Sequence, residues 1–157
     1  ALIKAGVPMI ASHLFVFYYA ILSVITPPVC VTAFAGASIA ESDPMRTGFV
    51  SVKLAIVAFI IPFMFVYQPA LLWQGGMAEV AVATVTAIIG VIGIGGAMQG
   101  WLLVGCKPWE RPVLMLGGLT LIYPGTMTDL VGFALLAVVT LLQLLRRRPL
   151  SRAVRNT

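Results

Sequence analysis

Along the chain, apolar residues come in long runs and polar residues collect in short clusters between them. The apolar runs cover residues 7–25, 29–40, 54–67, 79–104, 113–123 and 130–145. Runs this apolar and this long read as helical segments in a membrane. A full crossing takes about 20 mainly apolar residues. Run 79–104 reaches that length alone. Residues 54–67, with first turns reaching back to Phe49, form a span that ends at Gln68-Pro69, where Tyr67 and Trp73 suit the water boundary. Residues 7–25, interrupted by Pro8, Ser12 and His13, and residues 29–40 read as one crossing in two halves, split by Pro27 and Pro28. Residues 113–123 and 130–145 read as a helical hairpin whose short first arm is tilted, begins near Trp109, or is re-entrant.

The polar clusters supply the punctuation. In ESDPMRTGFVSVK, residues 41–53, Asp43 is placed to cap a helix with Pro44 at its first position, which predicts a loop and a short interfacial helix. Gln74, Gly75 and Gly76 form a turn, and CKPWERP follows the fourth run. In PGTMTD, residues 124–129, Pro124-Gly125 makes the turn and Thr128 or Asp129 caps the helix after it. The predicted fold is all-α: a polytopic integral membrane protein of about five hydrophobic helical segments, one of them broken at Thr26, Pro27 and Pro28.

Composition supports this reading and removes others. Of 157 residues, 61% are hydrophobic and 10% charged, and the mean hydropathy is +1.06. A water-soluble enzyme is a poor fit to that balance. The formal net charge of +5 is a property of one end: Arg146, Arg147, Arg148, Arg152 and Arg155 supply all of it, and residues 1–145 are balanced. A basic cluster abutting an apolar run marks a cytoplasmic span end that touches anionic lipid, in preference to nucleic acid. Counting crossings back from a cytoplasmic tail puts Lys107 and Arg111 inside, Glu79 outside, and Arg46 and Lys53 inside, as the positive-inside rule asks; Lys4 dissents. Cys30 and Cys106 lack metal-ligand spacing and read as small core residues. The chain opens on Ala1 amid a hydrophobic pattern with no basic leader, which reads as a piece of a longer polytopic protein.

Chemistry concentrates at ITPPV. Proline has no N–H, so Pro27 and Pro28 are expected to free the carbonyls of Ser23 and Val24 from the helical ladder. Discontinuous helices in transporters use such carbonyls to hold cations. Ser23 and Thr26 add hydroxyl oxygens, and an all-oxygen set suits a hard ion such as sodium. The plainer alternative is a kinked helix in which Thr26 caps the second half. His13, the sole histidine, is a candidate substrate contact or a packing residue beside Phe15, Phe17, Tyr18 and Tyr19. Gly96 and Gly100 have the GxxxG spacing of a helix-packing face; a nucleotide loop there would need a strand that the pattern does not offer. No nucleophile-base pair, paired carboxylates or phosphate loop stands out, so no enzyme activity and no cofactor is expected.

The stretch from His13 to Leu72, with HLFVFYY, ITPPV, the small-residue run to SDPMRTGF, and IVAFIIPFMFVYQPALL, resembles the end of the large membrane subunit of tripartite ATP-independent periplasmic (TRAP) transporters. The resemblance is to the branch in which small and large membrane subunits are fused. It implies an elevator-type helical bundle with inverted repeats in a bacterial inner membrane: a sodium-driven secondary transporter that takes solute from a dedicated extracytoplasmic binding protein. It also implies that Thr26, Pro27 and Pro28 occupy the break of a discontinuous helix near an ion site, and that the partners are the N-terminal remainder of the permease and the binding protein. On this reading residues 1–75 end the transport core, residues 76–145 are an extension of about three transmembrane or re-entrant helices, and residues 146–157 are a basic cytoplasmic tail. The competing reading is a membrane scaffold that docks partner helices on the Gly96 and Gly100 face.

Overall fold

The computed structural model describes residues 2–154, with side chains for residues 2–146. The basic tail read over residues 146–157 therefore lies, Arg146 apart, outside the described side chains. The fold is all-helical, and the only strand-like pairing among the described residues is an isolated bridge between Trp101 and Gly105. Helices run α1 (Met9–Leu22), α2 (Val31–Ile39), α3 (Pro44–Leu54), α4 (Ile56–Tyr67), α5 (Met77–Gln99), α6 (Glu110–Ile122) and α7 (Thr126–Val154), with 3₁₀ turns at Ile3–Ala5 and Pro69–Leu72. Two helical stretches are long and apolar enough to cross a membrane, Met77–Gln99 and Thr126–Arg146. Helices α3 and α4 meet at a bend of 41° and together form a third, broken span or a re-entrant loop. The chain is a multi-pass membrane protein, organised as two compact units, Ala1–Val80 and Ala81–Thr157.

In the first unit α1 packs on α4 and α2 packs on α3. The two halves expected to form one crossing thus have different partners. The α1–α4 seam is aromatic: Phe15 meets Phe63 edge-on at 5.1 Å, and Tyr18 meets Phe65 at 6.0 Å. Ring pairs of this geometry add about 0.5–1.5 kcal/mol beyond the area they bury. The α2–α3 contact is made by small residues, with Ala33, Ala37 and Gly48 buried. Helix α3 starts where Asp43 and Pro44 predict: the Arg46 N–H donates to the Asp43 side chain at 2.6 Å, and Pro44 occupies the first turn, where an N–H has no helical partner to lose.

In the second unit α6 packs against α7, and Leu114, Leu121, Leu136 and Val139 form the core with Ala97 of α5. Glycines bring the backbones close. A Cβ on Gly118 would sit 2.7 Å from the Gly90 carbonyl oxygen, and one on Gly90 would sit 2.9 Å from that of Gly118. Helix α6 is 13 residues, about 20 Å long, against roughly 30 Å of hydrocarbon, so it does not cross alone.

Two expectations fail here for local reasons. The fourth run was expected to stay helical to Val104, but α5 stops at Gln99, because Gly100 turns left-handed at φ 73°. The N–H groups of Gly100 and Trp101 then both donate to the Gly96 carbonyl, which closes the helix end. Neither Thr128 nor Asp129 caps α7; the helix already begins at Thr126, and the Thr128 hydroxyl donates back to the Gly125 and Tyr123 carbonyls.

The loop after α5 is fastened to α7 by a buried polar cluster. Gln143, fully buried, accepts from the N–H groups of Leu103 and Val104 at 3.1 and 3.4 Å and donates to Glu110 at 2.9 Å. Glu110 also accepts from the Lys107 N–H at 3.1 Å and is paired with Arg146. Burial pushes the Glu110 carboxyl up. The Gln143 amide, the Arg146 guanidinium and the Lys107 N–H outweigh it and hold the group below its ordinary value of 4.5.

Candidate functional site

Helix α1 does not end abruptly at the double proline. Past Leu22 the N–H groups of Val24, Ile25 and Thr26 each donate to the carbonyl three residues back, at 3.1–3.2 Å, so the coil tightens into a 3₁₀-like turn before the prolines. Pro27 and Pro28 then have no N–H to give, and the Cys30 N–H bonds back across them to the Thr26 carbonyl at 3.0 Å. Helix α2 begins at Val31.

The backbone accounting differs from the expected one. The Ser23 carbonyl accepts the Thr26 N–H, and the Val24 carbonyl accepts both the N–H and the hydroxyl of Thr32, at 3.3 and 3.0 Å. Both groups expected to be free are therefore taken, the first by the tightened turn before the prolines and the second by Thr32, which returns to it after them. The carbonyls of Ile25, Pro27 and Val29 accept no hydrogen bond among the described residues. They are the unmatched acceptors of the break.

Three of the predicted residues, Ser23, Thr26 and Pro27, line one open pocket. A pocket of ≈ 270 Å³ is lined by Tyr19, Leu22, Ser23, Thr26, Pro27, Val29 and Phe59. Ser23 and Thr26 donate their hydroxyl protons to the carbonyls of Ala20 and Leu22, each at 2.6 Å. Each oxygen then keeps its lone pairs for another donor or a cation. Pro28 is exposed and lies outside the lining. Tyr19, not one of the predicted site residues, forms part of the wall, and its hydroxyl donates to the Phe59 carbonyl at 3.0 Å. A tyrosine one helical turn before Ser23 was the available signal.

The other predicted residues are elsewhere. His13 is exposed on α1, and its side chain makes no hydrogen bond or ion pair with a described residue. Gly96 faces its own following loop: a Cβ there would meet Leu102 at 2.9 Å. Gly100 is past the helix end, where the Arg111 guanidinium fills the space a side chain would take. The two therefore do not share a helix-docking face, and close helix packing falls to Gly90 and Gly118 instead. No group of three or more His, Cys, Asp or Glu side chains able to hold a metal ion occurs among the described residues.

Comparison with known proteins gives one family. No curated protein and no solved structure matches the chain. Residues 1–80, which contain α1 to α4 and the whole of the broken turn, match the family described as Tripartite ATP-independent periplasmic transporter, DctM component. That match spans half the chain, and it covers the motifs ITPPV and SDPMRTGF together with every residue that lines the pocket. The chain belongs to the DctM family of TRAP transporter components.

Proposed function

We propose that this chain is the C-terminal portion of a fused TRAP permease in a bacterial inner membrane, and that the break at residues 23–30 contributes oxygens to a coupling-sodium site. The observation that carries the reading is that Pro27 and Val29, whose carbonyls are unmatched, line one pocket at the broken helix together with the hydroxyl-bearing Ser23 and Thr26. The local donor set is oxygen alone, which suits a hard monovalent cation. Ion binding would replace the missing ladder bonds and stiffen the turn, and the ordered turn would complete the site for a solute delivered by the extracytoplasmic binding protein. The C-terminus faces the cytoplasm in this arrangement, with the arginine-rich end of α7 against anionic headgroups.

The test uses the permease that contains this chain, purified in lipid nanodiscs, with isotopic sodium as the probe. Saturable sodium binding that excess potassium does not displace is expected, and Thr26→Val should weaken it about tenfold, the effect of losing one ligand worth roughly 1.4 kcal/mol. Absence of saturable sodium binding in the unsubstituted protein overturns the coupling. Unchanged affinity in Thr26→Val removes that hydroxyl from the site.

A further inference from the structure

We infer that Gly48 of α3 is a positioning residue for the broken turn, acting by having no side chain. This rests on the sodium reading above and deepens it, since it names what holds the site in shape.

Gly48 is buried, and a Cβ built on it would stand 3.0 Å from the Cys30 Sγ and 3.0 Å from the Pro27 Cγ. These two residues flank Pro28 and Val29, and Pro27 is itself part of the pocket wall. The α3 backbone is thus pressed against the break at Pro27 and Cys30. Helix α3 cannot easily retreat. Its first turn is fixed by Asp43, whose side chain accepts the Arg46 N–H and whose carbonyl accepts the Thr47 hydroxyl at 2.8 Å. The connection to α2 is held by the Ser42 N–H bonded to the Ala37 carbonyl at 3.0 Å. Gly48 lies one turn beyond this anchor, so the contact is set by a rigid lever. The turn has few bonds of its own between Thr26 and Cys30 and takes its shape from what it leans on.

Any side chain at position 48 must therefore move the turn, the anchored helix, or both. The softer of the two is the turn, and its displacement changes the spacing of the pocket oxygens. Gly36, on the exposed side of α2, has nothing within 4 Å of its Cβ position and serves as the control.

The experiment measures the sodium-binding midpoint of the same nanodisc permease, with folded yield followed by size-exclusion profile. Gly48→Ala should raise the midpoint roughly threefold to tenfold at unchanged yield, the response to a few tenths of an ångström of overpacking. Gly36→Ala should leave it in place. Adding Cys30→Ala to Gly48→Ala removes the crowding Sγ and should bring the midpoint part of the way back, which a general loss of stability would not do. Cys30→Val crowds the same contact from the other side and should raise the midpoint too, so it decides the matter if Gly48→Ala does not fold. An unshifted midpoint in Gly48→Ala, or in Cys30→Val when that variant has to decide, overturns the inference while the sodium site stands. Absence of sodium binding in the unsubstituted permease overturns both.

Discussion

Removing the cation from the buried pair of the second unit should cost more than removing the anion. The Glu110 side chain is 1% exposed and the Arg146 side chain 33% exposed, so the two partners have unequal access to water. In Arg146→Ala the Glu110 carboxylate stays buried with two neutral donors, the Gln143 amide and the Lys107 N–H. Stranding a buried charge in this way costs about 3–5 kcal/mol. In Glu110→Ala the guanidinium can turn outward. The remaining loss is then that of an acceptor for the Gln143 amide, which keeps the Cys106 sulfur at 3.4 Å, together with a small cavity, about 2–3 kcal/mol in all; the Lys107 N–H, on an exposed residue, can turn to water. The double substitution should cost less than the sum of the singles, because neither then leaves an unpaired charge. Denaturant unfolding of the protein in mixed micelles, followed by tryptophan fluorescence, measures all three. The reasoning is refuted if Glu110→Ala is the costlier single change, or if the two effects add.

The same carboxyl fixes a pH dependence. Its folded value lies below the ordinary 4.5, so its contribution is complete above that value and is lost only as pH falls through the lowered one. The stability gap between the unsubstituted protein and Glu110→Gln should accordingly stay level from about pH 8 to 5 and close below about pH 4. Gly118→Ala should destabilise by about 1–3 kcal/mol, since its Cβ would meet backbone at 2.7 Å, whereas Gly95→Ala, with open space around it, should be neutral or slightly stabilising in the same unfolding assay.

What the sequence made legible was local. The start of α3 could be read because Asp43 and Pro44 act on a single turn and need no partner from elsewhere. The end of α5 could not, because Trp101, Leu102, Leu103 and Val104 prolong the apolar run past the glycine that stops the helix. The double proline pointed to the right segment, but its free carbonyls were misassigned. A ladder argument counts four residues back and does not foresee that Thr32 returns to Val24, eight residues away. The GxxxG pair failed for a related reason: spacing along one helix carries no information about which backbone faces it. Glu110 and Gln143 lie 33 positions apart, and only the tertiary fold joins them. A lone glutamine in LLQLLRRR was the one hint.

The place of Arg146 also decides where this chain can be shortened. By composition the arginine-rich end looks like a disposable address label, and the natural cut is after Leu145, at the last apolar residue. That cut would delete the counter-charge of a carboxylate 36 positions upstream and loosen the loop that Gln143 and Glu110 fasten to α7. A cut one residue later keeps that counter-charge. The anchor therefore reaches at least as far as the first residue of the run of arginines.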